Sequence, residues 1–202
     1  MMLSDVPGTR RQTAVARAAR DRVRKLAVPA ALALTVVAAA GEIALGWRFA
    51  TSTALPAYLV FGALGSVVSF FDLGEQRVPN GVVLPTYPLL VSLFAAASAA
   101  DGRWHHMLQA VLAMLVLVTL FAALALARPG GIGLGDVKLA GLVGLACGYM
   151  GSAAVVAGVL LAFGLAAVTL LGLRLIGRRH ETRIAFAPFM VAGSVLAVLV
   201  VR

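Results

Sequence analysis

The chain has 202 residues, of which 61% are hydrophobic and only 12% are charged, and its formal net charge is +9. A soluble domain is nearer half apolar and a quarter charged, so this composition argues against a soluble protein and indicates a membrane protein. The single cysteine, Cys147, cannot form an internal disulfide or a Cys-x-x-Cys zinc site, and the three histidines lack metal-ligand spacing. We therefore expect neither a metal ion nor another cofactor.

Apolar runs near the ~20 residues that cross a bilayer follow a basic N-terminal arm. We expect two parts, a cytoplasmic arm over residues 1–25 and a single transmembrane domain over residues 26–202. The predicted fold class is all-α, a polytopic transmembrane helix bundle of about seven helices, with a range of six to eight. The predicted spans are 26–47, 53–71, 81–100, 107–127, 137–150, 152–176 and 184–201.

The distribution of lysine and arginine predicts the orientation of these spans. If the N-terminus is cytoplasmic, all but three of the 17 basic residues lie on the cytoplasmic side, and the exceptions are Arg48, Arg103 and Arg202. Such a bias follows the positive-inside rule. It explains the net charge by topology and by attraction to anionic membrane lipid, so no binding of nucleic acid is expected.

Two aspartates lie at helix ends on the predicted cytoplasmic face. Asp72 ends the second predicted helix and Asp136 begins the fifth. Two carboxyls that approach each other share one proton, because like charges at short range cannot both ionise. The ionised one can then take a proton from water while the other donates to a scissile carbonyl, which is aspartic-protease chemistry. Position alone leaves open that both are helix caps or interface charges.

The helix dipole gives a first expectation for the shared proton. Asp136 lies at a helix N-terminus, which favours an anion, and Asp72 lies at a helix C-terminus, which disfavours one. From these two ends we expect Asp136 to be the ionised base and Asp72 to hold the proton.

The residues that flank the two aspartates form two short motifs. The first is Asp72-x5-Val78-Pro79-Asn80, and the second is Gly133-x-Gly135-Asp136-x-Lys138. Both motifs resemble those of the prepilin peptidase family, the type IV leader peptidases, which are intramembrane aspartic proteases of the GxGD type. The resemblance covers about residues 55–195 and includes, more loosely, the sequence Phe-Ala-Pro-Phe at 186–189. It implies catalytic roles for Asp72 and Asp136, and supporting or substrate-binding roles for Gly133, Gly135, Lys138, Pro79 and Asn80.

The resemblance also implies a function and a location. Members remove the short basic leader from type IV prepilin-like proteins of pilus and protein-secretion systems. We therefore expect an aspartic endopeptidase in a prokaryotic plasma or inner membrane, with a cytoplasmic N-terminus and active site. The expected partners are a prepilin or pseudopilin and membrane lipid, and the oligomeric state stays open. Many members also carry an N-methyltransferase activity with a cysteine-rich insert. This chain has no such insert, so a short, peptidase-only form is expected.

Three other functions compete with this interpretation. The sequence Gly-Leu-Gly-Asp at 133–136 also fits proteases of the presenilin or signal-peptide-peptidase type. Those place Tyr before the first aspartate, where this chain has Phe71, and they carry a Pro-Ala-Leu element that does not follow Asp136 here. A proton-coupled transporter would use the two aspartates as a relay. A non-catalytic scaffold that binds prepilins is the third alternative.

Glycine is frequent on both sides of Asp136. Four glycines at 130, 131, 133 and 135 permit positive φ and close approach of an extended substrate backbone. Gly141, Gly144, Gly148 and Gly151 follow at spacings that share one helix face, which predicts close helix packing in lipid. Lys138 lies ~200° around the helix from Asp136, so we expect no contact between them, and the role of Lys138 stays open.

Overall fold

The computed structural model describes residues 35–75, 80–127, 133–175 and 185–201, and over these ranges every regular element is a helix. Seven helical segments are present in this part of the chain, as the sequence predicts. Their ends lie within a few residues of the predicted spans, apart from the start of the first, which falls outside the described residues. The segments are α1 (35–48), α2 (Leu55–Glu75), α3 (Asn80–Asp101), α4 (Trp104–Ala127), α5 (Leu134–Met150), α6 (Ser152–Leu175) and α7 (Ala187–Val200).

The chain divides into two compact units, Met1–Val37 and Ala38–Arg202. Only residues 35–37 of the first unit are described, so the predicted arm at 1–25 and its boundary with the membrane domain lie outside the described residues. The second unit contains the helix bundle and both aspartates.

Four helices of the described part are long and apolar enough to cross a membrane. They are α2, α3, α4 and α6, with 20 to 24 residues in each apolar span. Their outward faces carry large apolar side chains, such as Leu160 and Val168 on α6, which are 66% and 71% exposed. Exposed apolar faces of this length match the hydrocarbon layer of a bilayer. The protein is therefore a multi-pass membrane protein.

α5 is the central helix of the bundle. It contacts α2, α3, α4, α6 and α7. Every residue from Leu139 to Tyr149 is buried, so the helix is apolar around its whole circumference and meets protein on every side. This position puts the N-terminal turn of α5, which carries Asp136, among the ends of its neighbours.

Glycines let α4 and α5 approach at backbone distance. A Cβ atom at Gly144 would lie 2.7 Å from the carbonyl oxygen of Ala113, and one at Gly148 would lie 2.9 Å from the Cα of Ala110. The predicted close packing is confirmed at these two positions. Gly151 is different, because it lies beyond the end of α5 with φ +117 and has no neighbour within 4 Å of its added Cβ. Its role is to turn the chain from α5 into α6, so its predicted membership of the packing face is wrong.

Candidate active site

The end of α2 and the starts of α3, α5 and α7 meet at one end of the bundle. A hydrogen bond joins Asp72 in the last turn of α2 to Ala187 at the start of α7. Another joins Asn80, the first residue of α3, to Lys138 in the first turns of α5. Both motifs found in the sequence therefore lie in one region, although their residues come from different helices.

Asp72 is a buried carboxyl at a helix N-terminus. Its side chain is 6% exposed, and its Oδ2 accepts a hydrogen bond of 2.9 Å from the backbone N–H of Ala187. Ala187 is the first residue of α7, which follows the N-cap Phe186 and has Pro188 in its first turn. The free N–H groups and the positive dipole end at such a position attract an anion.

Asp72 lies at the C-terminus of α2, as predicted, but its carboxyl also lies at the N-terminus of α7. The dipoles of these two helix ends act on Asp72 in opposite directions, and only the first was considered in predicting a protonated Asp72. Ala187 was not predicted from the sequence as a partner of Asp72. The signal for it was the Phe-Ala-Pro-Phe sequence at 186–189, since proline favours the first turn of a helix and so marks a helix start.

Asp136 also lies at a helix N-terminus. It is the third residue of α5, and its Oδ2 accepts a hydrogen bond of 3.2 Å from the backbone N–H of the N-cap residue Gly133. In return, the Gly133 carbonyl accepts from the Asp136 N–H at 3.0 Å. This side-chain contact is half of a capping box, and it fixes the direction in which the carboxyl points.

The pKa of Asp136 is raised from 3.8 to about 6. The largest cause is burial, which disfavours the charged form. The Gly133 N–H lowers the pKa, and the negative charge of Asp72 raises it. The last effect requires the two carboxyls to lie near each other, because charge coupling falls with distance. The two predicted catalytic carboxyls therefore lie close enough for their charges to interact.

The glycine run before Asp136 does not use a left-handed backbone at the positions described. Gly133 has φ −79 and ψ 152, an extended conformation open to any residue, so the positive φ that glycine permits is not used at this position. A Cβ at Gly133 would lie 3.6 Å from Oδ2 of Asp136, an ordinary contact. Gly135 is in the first turn of α5, where its backbone is helical. Gly130 and Gly131 lie outside the described residues.

The supporting residues of the two motifs contact each other. The Nζ of Lys138 donates to Oδ1 of Asn80 at 2.8 Å, and the hydroxyl of Tyr87 donates to the carbonyl oxygen of Lys138 at 2.6 Å. Lys138 therefore joins α5 to α3. Pro79, the other predicted supporting residue, lies outside the described residues.

Comparison with known proteins identifies the family. A model of the type IV leader peptidase family matches residues 59–177, which is more than half of the chain. The chain belongs to this family. The matched range includes Asp72, Asn80, Asp136 and Lys138, and it ends before Ala187.

A curated relative is a prepilin leader peptidase by name. The prepilin leader peptidase/N-methyltransferase of Bacillus subtilis (strain 168) is 33% identical over 160 residues, which cover 77% of this chain and 60% of the relative. The chain thus matches less than two thirds of that relative's length. No solved structure matches the chain.

The candidate site at this end of the bundle carries carboxyl, amide, ammonium, phenol and backbone groups. Among the residues that the structure describes, no group of three or more His, Cys, Asp or Glu side chains is placed to hold a metal ion. Cys147 is fully buried in α5, with its Sγ 3.9 Å from the carbonyl oxygen of Ser194. A thiol in such apolar surroundings is a filler of the core and not a nucleophile.

Proposed function

We propose that this chain is an aspartic endopeptidase that removes the basic leader from type IV prepilin-like proteins at the cytoplasmic face of the membrane. The observation that carries the proposal is the pairing of Asp72 and Asp136 at one end of the bundle, where the charge of one carboxyl raises the pKa of the other. Membership of the type IV leader peptidase family supports the substrate class.

The two carboxyls have different roles in proton transfer. Asp72 accepts a 2.9 Å hydrogen bond from the start of α7, which stabilises its anion. The carboxyl of Asp136 accepts a longer bond of 3.2 Å, and burial raises its pKa to about 6, so Asp136 can hold the shared proton. We therefore assign Asp72 as the base and Asp136 as the acid. This reverses the assignment made from the ends of α2 and α5 alone.

The reaction then follows the general acid–base course. Asp72 takes a proton from a water molecule as the water oxygen attacks the scissile carbonyl carbon, and Asp136 gives its proton to the carbonyl oxygen. The tetrahedral intermediate collapses with cleavage of the C–N bond. The proton on Asp72 passes to the leaving amine, and the proton of the gem-diol returns to Asp136. Both carboxyls end in their starting states, and one water is consumed.

The position of the pair fits a substrate that approaches from the membrane surface. Asp72 is in the last turn of α2 and Asp136 in the first turn of α5, so both lie at helix ends and not at the bilayer midplane. A peptide must be extended for water to reach its carbonyl, and such a segment precedes the apolar helix of a prepilin. The distribution of basic residues in the sequence supports a cytoplasmic location for this end of the bundle.

The test is co-expression with a candidate prepilin of the host. The variants are Asp72→Asn and Asp136→Asn, and the matched control is Asp101→Asn. Asp101 is exposed at the C-terminal end of α3, the opposite end from Asn80, and its Oδ2 accepts a hydrogen bond from the hydroxyl of Thr53. Leader removal by the wild type and by Asp101→Asn, but by neither of the other variants, supports the proposal. Full cleavage by either site variant refutes a catalytic pair. Binding of prepilin without cleavage by the wild type supports a scaffold instead.

We also propose that the chain does not methylate the new N-terminus, although the name of the Bacillus subtilis relative includes N-methyltransferase. The support is the single cysteine of the sequence, Cys147, which lies inside the bundle and not in a cysteine-rich insert. Mass spectrometry of the cleaved prepilin tests this directly. A mass increase of one methyl group in cells that carry this chain alone would refute it.

A further inference from the structure

Hydrogen bonds among Asn80, Tyr87 and Lys138 link α3 to α5 and so join the two sequence motifs. The proton transfers proposed for the two aspartates do not themselves require these bonds. Asn80 and Tyr87 lie seven residues apart on α3, which places them on one face of that helix. Both bind Lys138, Asn80 at the side-chain ammonium and Tyr87 at the backbone carbonyl. A lysine ammonium can only donate, so the amide oxygen of Asn80 must face it.

From this geometry we propose that Asn80, Tyr87 and Lys138 act as a positioning clamp that holds Asp136 at its working distance from Asp72. The inference rests on the proposed peptidase function. Asn80 follows Asp72 by eight residues and Lys138 follows Asp136 by two. A tie between Asn80 and Lys138 therefore limits the relative movement of the two catalytic segments.

Gly141 makes room for the clamp. A Cβ atom at this position would collide with the hydroxyl of Tyr87. Gly141 lies one turn after Lys138 on α5, so its missing side chain leaves the space through which the tyrosine hydroxyl reaches the Lys138 carbonyl. The glycine face of α5 thus serves two purposes: backbone packing on α4 at Gly144 and Gly148, and access for Tyr87 at Gly141.

The clamp reinforces the contact of α5 with α2 and α3, where helix packing is sparse. α5 packs extensively on α4, but far less on α2, the helix that carries Asp72. Its contact with α3 is also small. Since α3 begins soon after Asp72, the hydrogen bonds at Asn80 and Tyr87 are the described polar links between the N-terminal turns of α5 and the chain segment that follows Asp72. Lys138 acts here through Asn80 and is a positioning residue.

Kinetics of leader cleavage provide the first test. We expect Lys138→Gln and Asn80→Ala each to lower kcat by about 10-fold with little change in KM, because a charge-assisted hydrogen bond is lost while the substrate site is intact. The double variant is expected to lose no more than either single variant, and Lys138→Arg to keep most of the activity. Tyr87→Phe is expected to lower kcat by about 5-fold. Arg103→Gln, which removes an exposed cation outside the clamp, is the matched control. Independent losses that multiply to about 100-fold in the double variant would overturn the clamp.

A distance measurement separates this inference from the proposed function. Spin labels on Gly74→Cys and Leu134→Cys, two exposed positions beside the aspartates, would report the separation of α2 and α5 in a Cys147→Ala background. We expect Lys138→Gln to broaden or shift this distance distribution, and Arg103→Gln to leave it unchanged. An unchanged distribution in Lys138→Gln overturns the clamp whether or not the protein cleaves prepilin. A shifted distribution with no cleavage by the wild type keeps the clamp and refutes the peptidase.

Discussion

Alanine at position 144 would add one methyl group where the backbones of α4 and α5 approach closely. The new Cβ would lie 2.7 Å from both the carbonyl oxygen of Ala113 and the Cα of Met114. These are backbone atoms, which cannot rotate away as a side chain would. Since such contacts normally need ~3.5 Å, one helix must move by on the order of 1 Å. Overpacking of this kind costs ~1–3 kcal/mol of folding free energy.

The displacement should also reach the proposed catalytic pair. Asp136 lies eight residues before Gly144 on the same buried helix, ~12 Å along its axis, so a shift of α5 moves its carboxyl relative to Asp72. A misplacement of ~1 Å can reduce catalysis by ~100-fold. We expect Gly144→Ala to lower both the unfolding midpoint in detergent and kcat for leader cleavage.

The matched control makes the same chemical change in open space. Gly164 on α6 has no atom within 4 Å of an added Cβ. Gly164→Ala is therefore expected to leave kcat unchanged and to keep or raise stability, since alanine is favoured over glycine in a helix by up to ~1 kcal/mol. If Gly144→Ala matched Gly164→Ala in both stability and kcat, the reasoning from backbone contact would be refuted.

Three further predictions concern the site and the buried thiol. The kcat/KM of the wild type should fall as the pH rises above about 6, because the raised pKa of Asp136 leaves its carboxyl protonated below that pH and ionised above it. A flat profile from pH 5 to 8 would contradict the assignment of Asp136 as the acid. Gly133→Ala should retain activity within about 3-fold, since φ is −79 and the added Cβ meets only an ordinary contact. Cys147→Ala should cleave prepilin like the wild type, and in the wild type this buried thiol should not react with a bulky reagent until the protein unfolds; early modification would contradict its burial.

The helices could be predicted from the sequence because apolar length is a local property. The sixth span, predicted at 152–176, is observed at Ser152–Leu175. The two aspartates could also be found from local signals, because each is a charged residue at the end of an apolar run and each is part of a short sequence motif. The Gly144 and Gly148 contacts followed from spacing on one helix face. In each case the information lies within one or two helices.

The partners of these residues could not be predicted in the same way. Asp72 and Ala187 are 115 residues apart, and only the packing of α7 against α2 brings the N–H to the carboxyl. Helix periodicity gave the angle between Lys138 and Asp136, but it did not show which neighbouring helix Lys138 faces. The backbone angle of Gly133 could not be predicted from the sequence, because glycine permits positive φ without requiring it.

The enclosure of α5 has a consequence for how the protein responds to its bilayer. Its 17 residues span ~25 Å, whereas α4 and α6 have 24 residues each and span ~36 Å. A thicker or thinner hydrocarbon layer acts on the helices that touch lipid, and these absorb hydrophobic mismatch by tilting. The buried helix touches no acyl chains from Leu139 to Tyr149, so the level of Asp136 is set by its protein neighbours. Membranes of different lipid chain length should therefore leave the cleavage position in the substrate unchanged.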